Sequence, residues 1–578
     1  MGDSIGIVSL CIDLFSKDKI RHPRIFLRSI IAFAFMFIFI IFYKVGWISG
    51  QDTGVLIILF VITCLYLYIA YHAAMGPIGL SRVKLKKIEK LIAQGQSWDR
   101  DDLFLKKPFY LIDYAEIYRY ALLQADYLME RSEFKKAYEI YSSIDEKKLF
   151  QDEKNDLNIK KACVLFNLGD MNRAKILLEK TIDQSSASWL LIRSLINEQA
   201  GDMDKAYECL QYALSTMPGT ETDKMKANIF SHFGRIKLME NNITDVIYYY
   251  KKAVDAAKRS QNKRQIHACF QNLIHAYLLN GDDSASMHSF NEYEMLIDRN
   301  CTQDVLELNN LKVEVYRQKM EHEELGKQII ESYDLRNKVD GVKKLFLHIS
   351  ILRMMFNAGM NLELVLDEIA TNIQRYNSMQ MPERYLALKE VISVIEAIMN
   401  MPEYLKYMQM YLDLLAYMTN QAYLDIENYI EGLAEYEVLQ RCSMETEKVI
   451  ILKKYAREYD FDRIYVIMKN IRDIYKSNGN FINMISTNLN IADECIVSGS
   501  FTTMQDHVEL VEENIKGLKN HPAMREYTLR LSYYNYVLGK KDKANDFFKA
   551  FKETNISVSH FAYWLQEYYY VLKGNLVS

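Results

Sequence analysis

The sequence predicts an all-α protein in which an N-terminal transmembrane helical hairpin precedes a long array of antiparallel helix pairs. Three observations support this fold class. Two long apolar runs lie close together near the N terminus, and helical hydrophobic spacing then continues almost to the C terminus. Only 7 prolines and 22 glycines interrupt the 578 residues. Few Pro and Gly with abundant Leu, Ile, Tyr, Lys and Glu are typical of helical proteins.

The first two apolar runs, residues 25–43 and 55–74, are each long enough to cross a bilayer core of about 30 Å. The short segment between them, residues 44–54, contains Gly46 and Gly50 and indicates an external turn. We therefore predict two transmembrane helices within residues 25–76, where the chain would contact the lipid bilayer.

Basic residues flank this hairpin on both sides. Lysines and arginines are frequent in residues 17–28 and 82–90, whereas the segment between the spans holds only Lys44. The positive-inside rule then puts both termini in the cytoplasm. The expected location is a membrane, and the Lys-, Ile-, Asn- and Tyr-rich usage favours a bacterial plasma membrane. In this scheme residues 1–24 are a cytoplasmic segment and residues 77–109 a basic juxtamembrane linker, which signals topology or contacts anionic headgroups.

The repeat unit is clearest between Leu191 and Pro218. Two helical patterns flank the dipeptide Gly201-Asp202. Gly201 suits the left-handed residue that ends a first helix. Ala206, in the second pattern, is small where two helices must cross closely.

The same unit recurs at spacings of 32 to 40 residues. The repeats align on one position of each second helix, which is small in most of them. This position is occupied by Ala137, Ala174, Ala206, Val246 and Ser286. Twelve residues earlier, on each first helix, stand Ala125, Ala162, Ser194, Gly234 and Ile274. Three of the five intervening turns contain Gly-Asp.

These positions resemble the tetratricopeptide repeat (TPR) family over residues 110–300. The resemblance implies a TPR-like α-solenoid of antiparallel helix pairs. Because the period mostly exceeds that of the family, the repeats look more like those of bacterial regulatory TPR proteins such as the Rap regulators or the MalT sensor region. Residues 301–480 are predicted to form divergent helical repeats, and residues 481–578 TPR-like repeats with a capping helix.

Helices in the divergent region are predicted from apolar periodicity between breaks at Gly and Pro. The predicted ranges are 305–319, 342–356, 362–376, 383–399, 404–418, 426–441 and 462–475. The last helix, within residues 560–574, is rich in aromatic side chains. This helix either packs back on the last repeat or provides a docking surface for a partner or for a second copy of the chain. The second alternative includes a homo-oligomer.

The charge distribution and the motifs limit the function. Residues 1–90 carry a net charge of +6 and the remainder −10, for a total of −4. An acidic repeat region argues against non-specific nucleic-acid binding. No phosphate-binding loop, nucleophile elbow or complete zinc-protease motif is present, so we expect neither enzymatic activity nor a cofactor.

The resemblance implies a concave groove lined by first helices, which suits an extended peptide or a partner helix. Its candidate partner-binding residues are Arg119, Asp126, Asn167, Asn228, Arg235, Gln271 and His275. The leading hypothesis is a membrane-tethered scaffold or adaptor that binds a protein or peptide partner on the cytoplasmic face. The alternative is a regulatory sensor whose solenoid binds a peptide or small ligand.

Overall fold

The structure is a computed structural model that describes residues 114–297, 362–399, 402–554 and 561–576. Short gaps within these ranges fall at 183, 218–222, 241, 457, 519–520 and 522. Residues 85, 87–92 and isolated positions between 305 and 315 are also described.

The predicted membrane location is not upheld. Within the described ranges, no helix combines the length and the apolar character that crossing a bilayer requires, which contradicts that prediction. The predicted spans in residues 25–76 and the segment 1–24 lie outside the described residues, as does most of the linker 77–109.

The chain divides into two compact units, residues 1–157 and 158–578. In the first unit, α1 (Tyr114–Glu130) and α2 (Phe134–Ser142) form a helix pair. A short helical stretch at residues 87–92 belongs to a small core that includes Ile88 and Leu123. Helix α3 (Gln151–Leu168) begins in this unit and continues into the second.

The second unit is a succession of paired helices. Its N-terminal part contains α4 (Met171–Glu179), α5 (Ala187–Gln199), α6 (Met203–Thr216), α7 (Asp223–Met239), α8 (Ile243–Ser260), α9 (Lys263–Leu279) and α10 (Asp283–Glu294). Its middle part contains α11 (Leu362–Asn377), α12 (Glu383–Ala397), α13 (Met408–Asn420) and α14 (Ala422–Glu431).

Its C-terminal part contains α15 (Val438–Lys454), α16 (Phe461–Ser477), α17 (Phe481–Ser498), α18 (Phe501–Asn514), α19 (Met524–Val537), α20 (Lys541–Glu553) and α21 (Tyr563–Leu576). Helices that follow one another in the chain pack against each other, for example α5 on α6, α7 on α8 and α19 on α20. Connections of two or three residues make such pairs antiparallel.

The turns inside the pairs explain why the helices stop and restart where they do. Gly201 has a φ of +86°, the left-handed conformation that ends α5 at low cost. The next residue, Asp202, accepts a hydrogen bond from the backbone N of Lys205 at 3.1 Å and so caps α6. Gly169-Asp170 and Gly281-Asp282 repeat this arrangement. The predicted turns are therefore confirmed with their chemistry.

The predicted close-packed positions are also confirmed. Ala125, Ala137, Ala162, Ala174 and Ala206 are fully buried. The remaining positions, Ser194, Gly234, Val246, Ile274 and Ser286, are buried as well.

A single hydrogen bond marks this crossing point in two distant repeats. Ser194 Oγ donates to the carbonyl of Ala206 at 2.8 Å. Ser532 Oγ donates to the carbonyl of Ala544 at 2.7 Å. In both cases a buried hydroxyl of a first helix reaches the backbone beside the small residue of its partner helix, which satisfies the hydroxyl. The C-terminal pairs therefore share the geometry of the N-terminal ones.

One predicted helix in the divergent region is wrong. The periodicity predicted a continuous helix over residues 426–441, but α14 ends at Glu431 and α15 begins at Val438. Gly432 follows the end of α14, and Glu437 accepts a hydrogen bond from the backbone N of Ala434 at 2.9 Å. This local turn competes with the helical hydrogen bonds. The predicted helix 342–356 lies outside the described residues.

Gly234 shows how closely first and second helices approach. A Cβ at this position would lie 2.4 Å from the Tyr250 ring. We expect Gly234→Ala to destabilise the protein by about 1–3 kcal/mol, because the ring must move within a packed core. Gly574→Ala is the matched control, since a Cβ added to this helical glycine would meet no described atom within 4 Å. It should be neutral or slightly stabilising, and urea unfolding of both variants checks the difference.

Candidate partner-binding face

The first helices of successive pairs lie side by side in the second unit. Helix α5 contacts α7, and α7 contacts α9. Near the C terminus α17 contacts α19, and α19 contacts α21. We call the surface formed by these helices the first-helix face. Four of the predicted binding residues, Asn228, Arg235, Gln271 and His275, lie on α7 and α9.

Arg235 connects α7 to α5. Its Nη2 lies 2.5 Å from Oε2 of Glu198, whose side chain is only 4% exposed. Burial raises the pKa of Glu198, and the Arg235 cation opposes that rise. Burial, with a contribution from Arg235, also lowers the pKa of His232 to about 3, so this ring is neutral at pH 7. Arg235 therefore compensates a buried carboxylate, while its own side chain remains 36% exposed.

Asn228 connects α7 to α9. Its Oδ1 accepts a hydrogen bond from Nε2 of Gln265 at 2.6 Å, and the same amide nitrogen donates to the carbonyl of Lys224 at 2.7 Å. Gln271 is exposed and His275 is half-buried on α9. Neighbouring first helices are thus held in register by polar side chains, and the exposed Gln271 lies on the same helix as one of these ties.

The other predicted residues make local contacts. Asn167 donates to the carbonyl of Cys163 at 2.8 Å within α3. In the unit of residues 1–157, Arg119 pairs with Glu89, and Asp126 accepts a hydrogen bond from the Tyr141 hydroxyl at 2.5 Å. The structure groups Asn228, Arg235, Gln271 and His275 on adjacent helices. Their role in binding a partner stays a prediction.

Sequence reasoning missed a polar cluster on the C-terminal first helices. Arg530 on α19 is 1% exposed, and its guanidinium reaches Asp493 Oδ2 at 2.5 Å and Asn490 Oδ1 at 2.9 Å on α17. The hydroxyls of Tyr534 and Tyr568 both donate to Asp493 Oδ1, at 2.6 and 2.8 Å. We call this the Arg530 cluster.

The electrostatics of the Arg530 cluster keep its tyrosines protonated. Burial raises the pKa of Tyr568, and the adjacent Asp493 carboxylate raises it further. The Trp564 ring lies 5.2 Å from the guanidinium carbon of Arg530 and is 41% exposed. Asp493 and Arg530 are 37 residues apart, which is close to one repeat. This spacing is the feature of the sequence from which their pairing could have been predicted.

The described part of the chain contains no evident metal-binding site. Across those ranges, no group of three or more His, Cys, Asp or Glu side chains is arranged to hold a metal ion.

Comparisons with known proteins establish neither a family nor a function for this chain. No protein-family model matches the chain, and no curated protein matches its sequence. Among solved structures, PilF of Pseudomonas aeruginosa is 18% identical, with a TM-score of 0.27, over 40% of this chain and 95% of PilF. The apo form of RapI is 10% identical, with a TM-score of 0.30, over 69% of this chain and 97% of RapI.

A third similar structure is PH0952 from Pyrococcus horikoshii, a signal-transduction ATPase with a tetratricopeptide repeat sensor. It is 9% identical, with a TM-score of 0.26, over 82% of this chain and 63% of that protein. Similarity at this level carries no argument about activity. The class follows from the helix pairs themselves: the described chain is an all-helical repeat protein with TPR-like pairs.

Proposed function

We propose that this protein is a tetratricopeptide-type interaction module that binds a protein or peptide partner on its first-helix face. The observation that carries the proposal is the set of cross-repeat ties between α5, α7 and α9, namely Arg235 to Glu198 and Gln265 to Asn228. They fix the spacing of adjacent first helices before a partner arrives. A pre-organised surface loses less conformational entropy on binding, so it suits a scaffold or adaptor.

We propose a binding role without catalysis. Two cations of the first helices, Arg235 and Arg530, pair with carboxylates of the neighbouring first helix. Such pairs stabilise a repeat array and define its surface charge. A partner would then be selected by the exposed side chains that lie between these ties.

The test uses a matched pair of glutamines. Gln271 is exposed on the first helix α9, and Gln211 is exposed on the second helix α6. A partner is first captured by cross-linking with the full chain and identified at stoichiometric yield. We then expect Gln271→Arg to weaken its binding by about tenfold, because a bulky cation enters the interface, whereas Gln211→Arg leaves the affinity unchanged.

Two results would contradict this proposal. One is equal affinity of both variants and the parent protein for the captured partner. The other is the absence of any stoichiometric partner after cross-linking. Circular dichroism of both variants controls for folding.

A cavity favours the second candidate function, a sensor for a peptide or small ligand. It measures about 220 Å³ and lies between α16, α17 and α18. Two cations, Arg472 and Lys476, line it together with the apolar side chains of Phe481, Met484 and Leu510. This lining suits a carboxylate attached to an apolar group.

A short peptide with a C-terminal leucine is the probe for the sensor function, and the same peptide with a C-terminal amide is its control. Calorimetric binding of the carboxylate form alone, weakened by Lys476→Gln, would support the sensor. Equal binding of both forms, or no binding, would exclude this cavity as the ligand site.

A further inference from the structure

Turns with the same glycine signature have different surroundings in the second unit. Gly169, Gly201, Gly281, Gly499 and Gly539 each follow a first helix with a positive φ. A Cβ on Gly281, Gly499 or Gly539 would meet no described atom within 4 Å. Gly169 and Gly201 are instead buried. Something beyond their own helix pairs therefore covers the two turns.

The cover of Gly169 comes from the start of α15. A Cβ on Gly169 would lie 2.5 Å from Leu439 Cγ and 2.9 Å from the Leu439 backbone N. Real side chains do not approach this closely, and the backbone atom cannot rotate away as a side-chain end can. Only glycine fits this contact.

The cover of Gly201 comes from the segment that follows α18. A Cβ on Gly201 would lie 2.0 Å from Leu518 Cδ2 and 3.5 Å from Ile482 Cδ1. Leu518 is 1% exposed and belongs to the core of the C-terminal pairs. Two successive N-terminal turns thus rest on two successive C-terminal helix pairs.

Polar contacts accompany these glycines. Arg173 Nη2 lies 2.7 Å from Glu435 Oε2, across 262 residues of sequence. Asn172 Nδ2 donates to the carbonyl of Ser477, across 305 residues. The Asp170 side chain, which caps α4, is only 5% exposed beneath this contact, whereas the equivalent Asp202 is 36% exposed.

We propose that these contacts form a latch that closes the repeat array on itself and can open while the helix pairs stay folded. Gly169, Asn172, Arg173 and Gly201 form one side of the latch, and Glu435, Leu439, Ser477 and Leu518 form the other. Opening the latch frees the N-terminal pairs to move relative to the C-terminal pairs and so changes the curvature of the first-helix face. The inference does not depend on which partner binds there.

The composition of the latch explains why it opens before the helix pairs unfold. The Arg173–Glu435 pair is exposed, at 45% and 86% of the side chains, so solvent screens it. Besides the polar contacts, two glycine turns meet the side chains of Leu439, Leu518 and Ile482. The helix pairs are instead held by fully buried side chains such as Leu178, Leu210 and Ile464. Regions with few buried contacts open at lower free energy than the cores they join.

Charge reversal tests the latch without disturbing a core. The measurement is hydrogen–deuterium exchange of the full chain, read at residues 168–173 and 476–480. Glu435→Arg puts two cations together, and we expect exchange in both segments to be about threefold faster. Glu435→Gln removes the attraction without adding a second cation, and Arg173 keeps its pairing with Asp170, so exchange should lie between the parent and Glu435→Arg rates. Unchanged exchange in Glu435→Arg, or faster exchange confined to one of the two segments, would overturn the latch.

Glycine replacement provides an independent test. Gly169→Ala and Gly281→Ala both place alanine at a positive φ, +91° and +69°, so both carry a backbone cost. Only Gly169→Ala also collides with Leu439. We expect Gly169→Ala to accelerate exchange at residues 476–480, across the latch, and Gly281→Ala to leave that segment unchanged. Equal effects of the two variants at residues 476–480 would show that the two regions are not in contact.

Discussion

Replacing Arg530 by methionine is expected to destabilise the protein by about 3 kcal/mol. The guanidinium is 1% exposed and donates to Asp493, Asn490, Glu526 and Tyr534. Methionine fills much of the same volume but leaves the Asp493 carboxylate without its cation. Asp493 remains 25% exposed and keeps the Tyr534 and Tyr568 hydroxyls, so solvent and these donors moderate the loss.

Lys540→Met is the control for Arg530→Met. Lys540 pairs with Glu509 at 3.0 Å, with side chains that are 28% and 47% exposed. An exposed pair contributes about 0–1 kcal/mol, so urea unfolding should show little change in this variant. The double variant Arg530→Met with Asp493→Asn removes the uncompensated charge, keeps an oxygen acceptor for the Tyr534 and Tyr568 hydroxyls, and should recover part of the lost stability. A loss for Arg530→Met no larger than for Lys540→Met would show that the Arg530 cluster does not stabilise the fold.

Features set by neighbouring residues could be predicted from the sequence. The turns follow from a glycine that accepts a positive φ and an Asp that caps the next helix, as at Gly201-Asp202. The small positions follow from the periodicity of each pair, as at Ala206. Where the turn residues and the helical periodicity agree within a few residues, the local chemistry determines the structure.

Features set by distant residues could not be predicted in this way. Gly169 and Gly281 have the same local sequence signature, yet only Gly169 is covered by Leu439. Arg235 was predicted to line the groove, and its pairing with Glu198 on the neighbouring first helix could not be predicted from the sequence. The pairing of Arg530 with Asp493 spans 37 residues and depends on how neighbouring first helices are rotated. Helical periodicity identifies the buried side of a helix but not the residue that it meets.

The broken helix at residues 426–441 has a different cause. The apolar periodicity continues through Gly432, so the pattern alone gives no reason to end the helix there. The structure ends α14 at Glu431, where Gly432 lowers helix propensity and Glu437 supplies a competing side-chain acceptor. One weak helix former and one local hydrogen bond together outweigh the periodic pattern.

Lowering the pH from 7 to 4 is expected to destabilise the protein, and His507 should account for roughly 3 kcal/mol of the loss. His507 is 5% exposed, with Nδ1 2.8 Å from Asn488 Oδ1 and Nε2 3.3 Å from the Tyr465 hydroxyl. Burial lowers its pKa from 6.5 to about 4. The cations Arg472 and Lys469 also lower this pKa, whereas the Asp506 carboxylate raises it.

The sign follows from proton uptake. Between pH 6.5 and about 4 the unfolded chain binds a proton at His507 that the native chain does not bind, so stability falls as the pH falls through this window. His507→Gln removes the group and should flatten the dependence of the unfolding free energy on pH. Burial also lowers the pKa of His521 to about 4 and that of His232 to about 3, so part of the dependence should persist in this variant.

The exposed His288 supplies the comparison for this experiment. His288→Gln makes the same substitution at an exposed position and is the control for the exchange of histidine by glutamine itself. The measurement is urea unfolding at several pH values for the parent protein and both variants. If His507→Gln loses as much stability on acidification as the parent, the ring of His507 must accept a proton in the native state, and its hydrogen bonds to Asn488 and Tyr465 cannot hold it neutral.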